Sequence, residues 1–157
     1  MKVQQFDGGE DFVKFAKDCE LALFNGEKYV FQFPKNCSSN NWLENEIKKE
    51  NGTFLNQLNK TANVYAIFVR DIDCEQEWMC KYVGQRKSEK LRERITQHFI
   101  SKGKNTGSKL NEIKKAMDEK QEIAVSFIKI HPESLRLFVE GMIIEENITK
   151  LEWNKNS

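Results

Sequence analysis

The sequence predicts an α+β fold: a small, mostly antiparallel sheet of three strands flanked by helices, preceded by an extension that mixes helix and strand. Two apolar, β-prone runs, 64–69 and 78–83, are separated by a short polar stretch at 71–77 that reads as a hairpin connection. A third run, 123–128, is nearly all apolar and reads as a central strand. Helical periodicities come in blocks around these runs rather than alternating with them one for one.

Taken in order, residues 9–24 carry Phe12, Phe15, Ala16, Cys19 and Leu23 at helical spacing, and Asn25-Gly26 is a stop signal. Residues 29–33 alternate and end at Pro34, which suits an edge strand. After the polar loop 35–41, residues 42–60 read as helix interrupted near Asn51-Gly52. Beyond the hairpin, a helix over 88–101 ends before Gly103, and Ser108 is a candidate cap for a helix reaching Asp118 with Leu110, Ile113 and Met117 inward. Pro132 opens the last helix, as proline favours a first turn.

A chain of 157 residues holds one ordinary domain plus an extension, here divided as residues 1–61 and 62–157. No apolar run approaches the ~20 residues needed to span a bilayer, and the amino terminus lacks the apolar run of a signal peptide. A membrane protein is excluded on this reading, and a cytoplasmic location is expected. Cys19, Cys37, Cys74 and Cys80 are irregularly spaced without a CxxC pair, so packing is the favoured role over disulfides or a zinc site built from Cys74, Cys80 and His98.

The net charge of +1 conceals an asymmetry. Residues 81–115 hold eleven Lys and Arg against three Glu, leaving the rest of the chain acidic. Such a stretch is either a solvated helix face or a surface for a polyphosphate, since Lys and Arg displace condensed counterions from nucleic acid. In the second case Arg86, Lys87, Lys90, Arg92, Lys102, Lys104 and Lys109 are the candidate DNA contacts.

One stretch carries more than composition. Tyr82-Val83-Gly84 ends the second strand, and a helix follows in which Leu91, Ile95 and Phe99 form an apolar stripe. His98 falls inside that stripe, with Arg94 one turn before it on the flank. Tyr65 lies on the preceding strand, and Glu140 and Asn154 follow in order downstream. Glu140 has Leu137, Ile143 and Ile144 as helical neighbours; an isolated carboxylate among apolar groups is costly unless a cation or hydrogen-bond donor meets it. A salt bridge to Arg136 and a divalent metal ion both answer that cost.

This ordered set, over about residues 62–155, resembles the GIY-YIG nuclease superfamily. Asn63 stands where that family often has its first glycine, valine twice replaces isoleucine, and the longer loop from Gly84 to Leu91 leaves Arg92 as the other candidate for the role given to Arg94. The resemblance implies a metal-dependent DNA endonuclease that hydrolyses one phosphodiester per site, with one Mg2+ or Mn2+ held by Glu140. It implies catalytic roles for Tyr65, Tyr82, Arg94, His98, Glu140 and Asn154. Tyr65 would activate water, Tyr82 would position the phosphate or share that task, and Arg94 would stabilise transition-state charge. His98 would accept a proton from a tyrosine or orient it, Asn154 would fix nearby backbone or Tyr65, and Gly84 would be structural. Double-strand cleavage would require a homodimer or larger assembly, for which residues 1–61 are a candidate contact or DNA-recognition segment. The alternative is a catalytically silent nucleic-acid-binding module of the same fold.

Overall fold

A computed structural model of the chain describes residues 2–7, 11–73, 77–101, 103 and 107–155. Lys102, Lys104 and Cys74 lie outside the described residues. The fold is α+β, with strands β1 (Lys2–Gln5), β2 (Tyr29–Val30), β3 (Val64–Asp71), β4 (Met79–Gln85) and β5 (Gln121–His131). The helices are α1 (Phe12–Asn25), α2 (Glu44–Glu50), α3 (Gly52–Asn56), α4 (Leu91–Phe99), α5 (Leu110–Asp118) and α6 (Arg136–Asn147), with short 3-10 turns leading into α4 and α6.

Strands β3, β4 and β5 are antiparallel neighbours, with β3 between the other two. The sheet nevertheless has five strands and is mixed, not three-stranded. On the far edge of β5, β1 pairs in parallel and β2 antiparallel, each covering a different stretch of that strand. Lys2-Val3-Gln4-Gln5 is short and mostly polar, so no alternating apolar pattern announces β1 as a strand; its backbone pairing with Ile128 to His131 creates it. Residues before 62 thus contribute two strands and three helices around one sheet.

Strand periodicity splits the core into two layers. Tyr65, Ile67 and Val69 of β3, with Ile123 and Val125 of β5, face Ile47, Leu55, Leu91, Ile95, Phe99 and Ile113 of helices α2 to α5. Val64, Ala66 and Phe68, with Ile128 and Ile130, face Phe15, Cys19, Leu23, Val139 and Ile143 of α1 and α6. The interruption expected near Asn51-Gly52 is present, and Asn51 explains it. Its buried side chain accepts from the Tyr29 hydroxyl (2.8 Å) and the Gln32 N–H (2.9 Å) and donates to Gln32 O (2.9 Å) and Ile47 O (2.7 Å). With every polar atom satisfied, that side chain ties β2 to the helix junction at no desolvation penalty. In α5, Ala116 is buried and Met117 only half-buried, so the inward face is turned by one residue from the expected one. Ser108 does not occupy the cap position, which Lys109 takes, although its Oγ accepts the Leu110 N–H (3.1 Å).

Strand β4 is the open edge of the sheet, and the C-terminal segment covers it. Trp153 N–H donates to Lys81 O (3.0 Å), while Asn154 accepts the Val83 N–H (2.9 Å) and donates to Val83 O (3.0 Å). An amide side chain here supplies the pair of bonds that a neighbouring strand would have made. Among the described residues, no helix is long and apolar enough to cross a membrane.

Candidate active site

The register of β3 against β4 sets two phenols side by side. Tyr65 pairs with Gly84 and Ile67 with Tyr82, so Tyr65 and Tyr82 are diagonal neighbours on one face, with ring centroids 6.2 Å apart. Gly84 is what admits the Tyr65 ring. A Cβ added there would stand 2.5 Å from both Cζ and Oη of Tyr65 and 2.9 Å from Cε2 of Tyr82. Tyr65 is completely buried and has no free direction in which to retreat. Gly84→Ala is therefore expected to lower unfolding stability by about 1–3 kcal/mol, read by urea denaturation, and to displace the Tyr65 hydroxyl.

The position of His98 on the apolar stripe of α4 follows from helical periodicity, and its hydrogen bonds define its protonation. Nδ1 accepts the backbone N–H of Lys109 at 3.0 Å, so that nitrogen carries no proton. In the neutral ring the proton then sits on Nε2, which lies 2.6 Å from Tyr65 Oη. Burial, together with the charges of Arg94, Lys109 and Arg86, holds the His98 pKa well below the usual histidine range and keeps it neutral. His98 is thus a donor that orients Tyr65, not an acceptor of its proton.

Arg94 is 9% exposed and Arg92 lies on the solvent side of α4, so Arg94 is the arginine at the phenols. Its guanidinium donates to Gln97 Oε1 (3.1 Å) and Gly107 O (3.0 Å). Burial pushes the pKa of Tyr65 well up and that of Tyr82 up, while the charge and hydrogen bonding of Arg94 oppose the shift at both. Lys109 was expected at a DNA-facing surface; it is 4% exposed, with Nζ 5.3 Å from the centre of the Tyr82 ring. Two cations therefore converge on two phenols.

Glu140 arrives from α6, in the opposite layer, and its charge acts on both phenols. The salt bridge to Arg136 is absent. Arg136 instead donates through Nε to Gln85 Oε1 (2.9 Å) and through Nη1 to Glu133 O (3.0 Å). Glu140 forms no ion pair or hydrogen bond among the described residues, and burial raises its pKa to about 7 against the weaker opposing influence of Arg136. A half-buried carboxylate lacking a partner fits a divalent cation. No group of three acidic, histidine or cysteine side chains gathers among the described residues, so a cation at Glu140 would meet at most one further side chain of these types there. That suits Mg2+, which retains waters and takes further oxygens from a phosphate.

Asn154 makes no hydrogen bond to Tyr65 among the described residues; it clamps the Val83 backbone between Tyr82 and Gly84 and so steadies the strand that carries both. Of the other basic residues, Lys87, Lys90 and Arg92 are exposed and Arg86 is half-buried close enough to His98 to influence it. Cys80 packs in the layer opposite His98, its thiol pushed up to about 12 by burial. Sequence reasoning did not single out Gln85 or Glu133. Glu133 accepts from Ser88 N–H (2.6 Å) and Asn63 Nδ2 (2.8 Å), tying the start of α6 to both β3 and the turn before α4. Asn63 also pairs with Ile130 in both directions, a role that a glycine at this position could not fill.

A groove of about 1130 Å3 near Gly26, Tyr29 and Phe127, and another of about 690 Å3 near Gly52, Asn59 and Arg92, both lie away from the phenols. No protein-family model, curated protein or solved structure matches the chain.

Proposed function

We propose that this chain is a metal-dependent DNA endonuclease of the GIY-YIG type, hydrolysing one phosphodiester per site by in-line attack of water. The observation that carries the reading is the grouping of Tyr65, Tyr82, Arg94 and His98 with a carboxylate, Glu140, whose charge acts on both phenols and which forms no ion pair among the described residues. Arg94 meets the scissile phosphate and opposes the charge that grows on it. Tyr65, held by the Nε2 proton of His98, first gives its own proton to solvent and then, as phenolate, takes the proton of the attacking water. Tyr82, flanked by Arg94 and Lys109, positions a non-bridging oxygen. Bound at Glu140, Mg2+ or Mn2+ would supply Lewis-acid stabilisation of the charge on the phosphate and leaving group.

Lys87, Lys90 and Arg92 are placed to hold the DNA backbone beside the site, and a homodimer supplies the second site needed for double-strand breaks. The reading places this activity in the cytoplasm. DNA affinity is expected to fall about 10²- to 10³-fold between 50 and 200 mM salt if four to six phosphates are contacted; an unchanged Kd contradicts it. The direct test is cleavage of plasmid and oligonucleotide DNA by the purified protein with Mg2+ or Mn2+. Binding without cleavage across varied substrates favours the silent module instead.

A further inference from the structure

Arg136 is the cation that the mechanism above leaves unused. It lies one helical turn before Glu140 on α6, so both side chains leave the same side of the helix. Two of its five donors are taken by neutral acceptors, Gln85 Oε1 on β4 and the Glu133 carbonyl, and among the described residues it forms no ion pair. The anchors fix the plane of the guanidinium and leave donors unspent; the carboxylates of Glu133 and Glu140 feel its charge, but neither closes to ion-pair distance. Gln85 directly follows Gly84, so the anchored group is tied to the end of β4, the strand that carries Tyr82. An arginine whose task was to balance Glu140 would close on that carboxylate; here it is held by other partners while remaining electrostatically coupled to it.

Resting on the nuclease reading, we infer that Arg136 forms a second phosphate site, binding a backbone phosphate next to the scissile one and setting the register of the strand between Arg94 and Glu140. Fork geometry suits that task, because an oriented guanidinium grips a tetrahedral phosphate through parallel N–H bonds. It also separates the labour of the two arginines: Arg94 faces charge that develops during reaction, whereas Arg136 faces charge present throughout.

The test neutralises one phosphate at a time. Duplexes carrying a single methylphosphonate at successive positions around the cleavage site are bound to wild type and to Arg136→Gln without metal, so that nothing is cut. In wild type, one position flanking the scissile phosphate should cost roughly tenfold in affinity. In Arg136→Gln the penalty at that position should drop below about twofold while the others persist. Equal penalties at every position in both proteins overturn the inference, even where wild type cleaves normally. A wild type that binds DNA but never cleaves removes the nuclease reading and, with no scissile phosphate to flank, this inference with it; one that binds no DNA removes both. Should Arg136→Gln fail to fold, Arg136→Lys carries the comparison, since lysine cannot hold Gln85 and grip a phosphate as a fork. Its penalty at the flanking position should fall clearly below that of wild type, and an undiminished penalty overturns the inference.

Discussion

Replacing Tyr65 by phenylalanine is expected to lower the single-turnover cleavage rate by about 10²- to 10⁴-fold, the range of a lost proton-transfer group. The ring stays in place, but Nε2–H of buried His98 loses its acceptor, so stability should also fall by about 1–3 kcal/mol. The pH profile separates the two consequences. Burial holds the Tyr65 pKa well above its ordinary value of 10.0, so the neutral phenol is the resting form and the wild-type rate should climb as pH rises from 7 to 9. In Tyr65→Phe that climb should disappear. A phenylalanine variant that cleaves at the wild-type rate per folded molecule moves the proton transfer to Tyr82.

Glu140→Gln should abolish cleavage and leave metal-free DNA affinity within a few-fold, because the cations that meet the phosphates are untouched. Its effect on stability has a definite sign. The folded-state pKa of Glu140 is raised from 4.5 to about 7, so between those values the folded protein binds more protons than the unfolded chain, and this group's contribution to stability declines as pH rises through that window. Above pH 7 the metal-free wild type carries the full cost of an ionised, half-buried carboxylate. Allowing for its partial exposure to solvent, that cost is up to roughly 2 kcal/mol, and Glu140→Gln should melt about 2–6 °C higher at pH 8. The difference should shrink towards pH 5. Added Mg2+ should stabilise the wild type at pH 8 and leave the variant unmoved. Melting scans of both proteins at the two pH values, with and without Mg2+, check each part; a variant less stable than wild type at pH 8 would return Glu140 to a structural role.

Sequence alone determined the local elements and the order in which the chemistry-bearing residues occur. The unbroken apolar run of β3, the nearly all-apolar stretch of β5 and the stripe Leu91, Ile95, Phe99 are local patterns that a chain carries before it folds. Because Arg94 and His98 share a flank of α4 by helical spacing, and Tyr65 and Tyr82 fall on strands joined by one hairpin, most of the candidate site was legible too. What remained depended on partners far along the chain. A four-residue polar strand becomes a strand only when β5 offers its edge, and Lys109 leaves the exposed patch only when its backbone is drawn to His98 Nδ1. Whether Glu140 meets Arg136 turned on the competing acceptors Gln85 and Glu133, one of them on another element. The tautomer of His98 and the bidentate grip of Asn154 on Val83 are likewise set by single hydrogen bonds across the fold, for which no periodicity in sequence exists.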